Sequence, residues 1–394
     1  MINAPSPIFS SPLYLSGASI SDFGELWDRS LESLIEHVIE ESLRTAQLEK
    51  KDIDAVVVAN MSAGQFEGQS HLGALVSSMF PQFPPAIRVE GACASGGLAL
   101  LTAEQYILSG TYQRVLVIGA EKMTDVSAQE TTDILAGASH VIEESLATFP
   151  ALYALLAKEH MREYGTTREN LVSIAVKNHH HAMNNPHAQF HKEITIEDVL
   201  KSPMVADPLR LLDCSPISDG ASAVVISSDS HRAQARIAGF GHAQDSLTLA
   251  GRSSLTSFEA TSRATKQALS RTEAKIAEFD AYELHDCFTI AEIFAIEDIG
   301  LCKKGASQAY IENHSDKLNK SGGLKGCGHP VGATGVKQVA FLAQQIELGI
   351  IERGFAQNIG GAGATAVVHC VEPAKVNENK GIVKNTRIKK SEKK

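Results

Sequence analysis

Short apolar runs alternate with helix-period stretches along almost the whole chain. Six runs have the length and β-branched content of buried strands: residues 54–60 (DAVVVAN), 114–120 (RVLVIGA), 222–228 (SAVVISS), 235–241 (ARIAGFG), 279–286 (FDAYELHD) and 365–371 (TAVVHCV). Runs apolar at consecutive positions, rather than at every second one, belong to strands covered on both faces, as in sheets sandwiched between helices. The pattern predicts an α/β protein.

The order of elements occurs twice. A helix-period stretch from Leu31 leads through LEKKDIDAVVVAN to the glycine-rich turn GACASGG, then to an apolar helix ending near LSGTYQRVLVIGAE. A second stretch, from about Arg263, leads through IAEFDAYELHD to GCGHPVGATG and a helix ending near ELGIIERGFAQNIGGAG. Asp54 stands 39 residues before Cys93, and Asp280 stands 49 before His329. A duplicated α/β unit accounts for both series. Residues 121–212 break the rhythm with helical patterns such as FPALYALLAKEHMREYG and turn residues such as NNPHAQF, which predicts an inserted loop domain covering a substrate. The expected division is a first half of residues 1–120 and 213–231, the insertion 121–212, a second half 232–371, and a tail 372–394.

Composition narrows the partners. The 394 residues are 43% hydrophobic with a formal charge of −10, so a large core is affordable and no basic footprint for DNA, RNA or an anionic membrane is present. The segment from Pro373 to Lys394 runs against this, with eight Lys or Arg and two Glu, and reads as a solvated tail. Six cysteines without CxxC spacing, and no signal-peptide pattern, predict reduced thiols and a cytoplasmic location. No run approaches the roughly eighteen apolar residues of a membrane span, so membrane insertion is not expected.

Two glycine-rich turns carry the candidate chemistry. In VEGACASGGLAL (89–100), Cys93 is placed at the start of a helix apolar nearly all round. Free N–H groups and the positive helix end would lower its pKa and hold an oxyanion, and the small neighbours leave room for a carbonyl substrate. An inert buried cysteine is the alternative. In GGLKGCGHPVGATG (322–335), His329 holds the matching place in the second half, as a base toward a thiol, as a donor toward a carbonyl oxygen, or as a structural cap. His285, Asp286 and Cys287 follow a buried strand directly, where loops of α/β sheets carry chemistry. Cys327 and His329 lack a second ligand pair with zinc-like spacing, so no metal is expected. The five histidines of NHHHAMNNPHAQFH are irregularly spaced and read as a solvated or substrate-facing segment.

Taken together, GACASGG, HDCF (285–288) and GHPVGATG resemble the thiolase superfamily. Most thiolases carry an Asn-Glu-Ala-Phe loop where this chain has HDCF, and a second reactive cysteine where it has Asn358 in NIGGAG. With ADPLRLLDCSPISDGASAVVI (206–226), the closer resemblance is to sterol-carrier-protein-type thiolases and their bacterial and archaeal relatives, over residues 12 to 371. It implies two βαβαβαββ halves in five αβαβα layers, with an inserted loop domain. It implies an acyl-CoA C-acyltransferase that cleaves 3-ketoacyl-CoA with CoA, or condenses acetyl-CoA and acyl-CoA in reverse, through an acyl-cysteine. The implied roles are Cys93 as nucleophile, His329 as its base and an oxyanion donor, Cys287 as acid and base, His285 as an oxyanion donor through water, the N–H groups of Cys93 and Gly360 as a second oxyanion hole, and Asp286 positioning the HDCF loop. No tightly bound cofactor is implied; coenzyme A and acyl-CoA are substrates, with Lys177, Lys192 and Arg210 as expected phosphate contacts. A homodimer or dimer of dimers is implied, and a multienzyme complex is a further expectation. The competing readings are a ketoacyl-synthase-like condensing enzyme and a non-catalytic acyl-CoA or lipid-binding relative.

Overall fold

A computed structural model describes residues 12–374. The first half contributes β1 (Leu13–Ile20), α1 (Leu31–Ala46), β2 (Ala55–Ala59), β3 (Ala86–Val89), α2 (Ser95–Leu108), β4 (Arg114–Glu121) and, after the insertion, β5 (Gly220–Ser227). The second half contributes β6 (Ala235–Gln244), α7 (Glu259–Leu269), β7 (Ala281–Glu283), α8 (Thr289–Asp298), α9 (Thr334–Glu347), β8 (Gly354–Gly360) and β9 (Thr365–Pro373). The insertion holds α3 (Ala128–Ala136), α4 (Phe149–Tyr164), α5 (Arg168–Ala182) and α6 (Ile196–Lys201). The expected basic tail lies outside the described residues apart from 372–374, and Glu372 and Pro373 complete β9 instead.

The strands join in the order β3-β2-β4-β5-β1-β6-β9-β8-β7. From β2 to β1 the pairings are parallel, antiparallel, antiparallel; from β7 through β8 and β9 to β6 they are the same. The duplication therefore extends to strand order and sense, and β1 joins β6 at the seam. Tyr282 also forms an isolated parallel bridge to Leu318, on the side of β7 that corresponds to β3. One carboxylate repeats as well: Asp54 accepts from the N–H groups of Gln113 and Arg114 at 2.8 and 2.9 Å, and Asp280 from those of Glu352 and Arg353 at 3.0 Å each. Each closes the chain's entry to one strand against its entry to the next, in the same way in both halves.

Three apolar clusters fix the layers. One packs α1 on the outer face of β2, β4 and β5 through Leu34, Ile35, Val38 and Ile39. The middle one packs α2 and α9 between the strands of the two halves, with Leu100, Val117, Val224, Val336 and Val339. The third covers the second half with α7, α8 and α4. The result is the αβαβα stack. At the centre α2 and α9 meet through glycines, since a Cβ on Gly96 would lie 2.6 Å from the amide nitrogen of Gly335. Among the described residues no helix is long and apolar enough to cross a membrane.

Candidate active site

Cys93 sits between β3 and α2, after Ala92, whose φ of 53° is a left-handed conformation unusual for a residue with a side chain. The helix start does not leave its N–H groups free. Ser95 N–H donates to the Ala92 carbonyl at 3.1 Å, and Gly97 N–H donates to Asn358 Oδ1 at 3.1 Å. The N–H groups that reach the sulfur are those of Cys93 itself and of Gly361. Burial, reinforced by the negative charge of Glu121, overrides them and pushes the Cys93 thiol up to about 12. The expected lowering by the helix end is thus corrected: desolvation dominates. The neighbouring N–H at the sulfur is that of Gly361 rather than the expected Gly360, and Gly360 lies so close to the cysteine turn that a Cβ on it would stand 2.3 Å from the Gly91 carbonyl oxygen.

His285 and His329 complete the cluster: the sulfur of Cys93 and one nitrogen of each ring lie within 4.8 Å of one another, and the two rings meet edge to face with centroids 4.9 Å apart. Burial pushes His329 down to about 3, with the nearby Lys337 ammonium adding to the effect, and holds His285 well below the usual imidazole range, with His329 as the second cause. Near neutral pH both rings are neutral and Cys93 is a thiol.

The thiol of Cys287 lines the same apolar cavity as Cys93 and His329, together with Met123, Tyr153 and Phe288. Burial raises its pKa well above the ordinary thiol range. Tyr153, from α4, stacks on Phe288 with centroids 4.5 Å apart, donates its hydroxyl to the Gly361 carbonyl at 3.1 Å and lies within hydrogen-bonding reach of Cys287. Asp286 ties the HDCF loop to the turn that leads to His329 and to the insertion: it accepts from Leu324 N–H at 2.6 Å, Lys325 N–H at 3.1 Å and Asn178 Nδ2 at 2.6 Å. Only a glycine fits against it at 323, where a Cβ would stand 2.4 Å from its carboxylate. Burial, with the Glu292 charge second, raises Asp286 to about 7.

The expected phosphate contacts fare differently. Lys177 is buried, pairs with Glu292 at 2.8 Å and donates to the Leu318 carbonyl, so it supports the HDCF loop from beneath and cannot meet a phosphate in solvent. Arg210 donates to the Ser202 carbonyl at 2.7 Å. Lys192 is exposed, and neither it nor Arg210 lines the cavity. The histidine run is not a loop throughout: His179, His180 and His181 end α5, with His179 buried and stacked on Phe190, and His181 bonded to the Leu318 and Asn319 carbonyls. Sequence reasoning missed Tyr153, Glu121 and Thr334. Their signals were an aromatic in an apolar helix, a charge at a strand end, and a threonine five residues after a histidine.

The thiolase N-terminal domain family matches residues 16–230, and the thiolase C-terminal domain-like family matches residues 241–372. An acetyl-CoA acetyltransferase of Methanothermobacter thermautotrophicus is 42% identical over 374 residues, covering 90% of this chain and 97% of that protein. One from Methanocaldococcus jannaschii is 39% identical, covering 90% and 97%. Human sterol carrier protein 2 is 29% identical over 81% of this chain and 62% of its own length. The structure of human mitochondrial 3-ketoacyl-CoA thiolase in complex with CoA superposes with a TM-score of 0.77 at 18% identity, over 93% of this chain and 99% of that one, and shares the fold. With both of its halves matched and an acyltransferase relative aligned along nine-tenths of its length, the chain belongs to the thiolase family.

Proposed function

We infer that this cavity performs thiolase chemistry with Cys93 as the acylated nucleophile and Cys287 as the group that exchanges a proton with carbon. The observation that carries the reading is the convergence of the Cys93 sulfur with a nitrogen each of His285 and His329 in a cavity that Cys287 also lines. In cleavage, Cys93 passes its proton to His329 as its sulfur attacks the 3-keto carbon. The bond between C2 and C3 breaks; its electrons form the enolate of the acetyl-CoA that leaves with C1 and C2, its oxygen facing His329 and His285, while the shortened acyl group stays on the Cys93 sulfur. Cys287, held protonated by burial, gives its proton to that carbon. The resulting thiolate takes the proton of incoming CoA, whose sulfur displaces Cys93 from the acyl group, and Cys93 recovers a proton from His329. Condensation is the same path reversed.

The apolar lining supports acyl-CoA as a partner, with short acyl groups favoured by a cavity of about 170 Å³. The exposed edge of β3, with Ile87 half out in solvent, supports pairing as a homodimer. Six free thiols fit a reducing, cytoplasmic setting. The test is acetoacetyl-CoA cleavage by Cys287→Ala and Cys93→Ala. Cys287→Ala is expected to keep acetylation of Cys93 by acetyl-CoA while losing cleavage and condensation, and Cys93→Ala to lose all three. Near-normal cleavage by Cys287→Ala would remove Cys287 from its role.

A further inference from the structure

Two histidines stand at one sulfur, and Nδ1 of each has a side-chain partner. On His329 that partner is the Thr334 hydroxyl at 2.7 Å, which can donate to the ring or accept from it; the Pro330 carbonyl, 3.2 Å from the same hydroxyl, already accepts from the N–H groups of Ala333 and Thr334. This contact follows the His329 tautomer and does not set it, and the other ring nitrogen is Nε2. That Nε2 is buried without a hydrogen-bond partner among the described residues.

On His285 the partner does set the tautomer. The amide of Asn358 has only one allowed orientation: its Oδ1 meets the N–H of Gly97 at 3.1 Å, which can only donate, and its Nδ2 meets the carbonyl of Cys93 at 3.0 Å, which can only accept. The second Nδ2 hydrogen goes to Nδ1 of His285 at 3.1 Å. That nitrogen accepts, so the hydrogen of this neutral ring sits on Nε2.

We propose that Asn358 is a positioning residue that holds His285 in the tautomer with its hydrogen on Nε2, where it serves as a donor to the substrate oxygen. The use made of that nitrogen rests on the thiolase reading; the tautomer does not. A cysteine at 358 has no means of accepting one bond while donating two. The neighbouring glycines keep the amide in place: a Cβ on Gly97 or Gly335 would stand 3.2 or 2.4 Å from Oδ1 of Asn358. The same tautomer sets the Cys93, His285 and His329 cluster apart from a metal site, where a ligating histidine donates from its far nitrogen.

Nitrogen NMR of the ligand-free protein, labelled at histidine with the heavy isotope, reads the tautomer directly, with His285→Gln identifying the signal. The expected result is hydrogen on Nε2 of His285. In Asn358→Asp the carboxylate only accepts, so the His285 hydrogen moves to Nδ1 and kcat for thiolysis falls about a hundredfold, as for loss of one oxyanion donor. Hydrogen on Nδ1 of His285 in the unmodified protein, or an unchanged His285 signal in Asn358→Asp, overturns the proposal; if that variant fails to fold, the spectrum of the unmodified protein decides. The predicted His285 tautomer in a protein that performs no thiolysis would uphold this inference and sink the thiolase reading, and the converse result would do the opposite.

Discussion

The hydroxyl of Tyr153 stands against the thiol of Cys287 and is anchored there by the Gly361 carbonyl at 3.1 Å. The backbone of Gly361 thus turns its carbonyl oxygen toward the Tyr153–Cys287 pair and its N–H toward Cys93, so one residue touches both thiol environments. An insertion helix and a second-half loop are held in register by a single hydroxyl.

Tyr153→Phe keeps the ring stacked on Phe288 and removes only that hydroxyl. Hydrogen bonding from Tyr153 lowers the Cys287 pKa against the larger effect of burial, so the variant is expected to hold its thiol still more tightly protonated. Acetyl-CoA α-proton exchange in deuterated water should fall about tenfold to a hundredfold, the scale of impaired general base catalysis, with a smaller change in acetylation of Cys93.

Cys93 rests as a thiol beside a neutral imidazole, because burial and then Glu121 oppose its ionisation. Its alkylation by iodoacetamide, followed by peptide mass, should keep rising from neutral pH into the alkaline range, where a thiolate–imidazolium pair would give an early plateau. Glu121→Gln removes the opposing charge and should shift the profile to lower pH. Glu121 also binds its proton more tightly folded than unfolded, at about 7 against 4.5. The folded state therefore loses stability relative to the unfolded one as pH rises through that interval, and the melting temperature of Glu121→Gln should gain on the unmodified protein between those values.

Lys177→Met should leave Glu292 buried without its cation. The expected loss is about 3–5 kcal/mol in denaturant unfolding, with the KM for CoA close to that of the parent. A large rise in KM with unchanged stability would restore Lys177 to phosphate binding.

Much of this was legible in the chain. Strand cores announce themselves as consecutive apolar residues, and Cys93, Cys287 and His329 stand in glycine-rich or post-strand settings. What escaped was set by distance along the sequence. Asn358 reads as a missing cysteine until its amide is seen to reach Gly97, 261 positions away. The strand that carries it, β8, contains GFAQNIG, whose glycines and polar residues hide a fully buried strand. β1 escaped because the serines and glycine of LYLSGASI dilute its apolar positions. The rise in the Cys93 pKa escaped for a related reason: the helix start is visible in sequence, but the burial and the Glu121 charge that oppose ionisation are not.

The meeting of α2 and α9 leaves no room for a side chain. In Gly335→Ala the new Cβ would press on Gly97 N and Asn358 Oδ1, both at 2.4 Å. A destabilisation of about 1–3 kcal/mol is expected from overpacking, read by urea unfolding, with a loss of thiolysis beyond it because Asn358 shifts.

The central claim is that Cys93 carries the acyl group. Incubation with acetyl-CoA alone, followed by acid quench and peptide mass mapping, should place one acetyl group per chain on the peptide containing Cys93, removable by free CoA and absent in Cys93→Ser. Acetylation confined to another cysteine, or an unmodified Cys93 peptide in a protein that still cleaves acetoacetyl-CoA, would contradict the account.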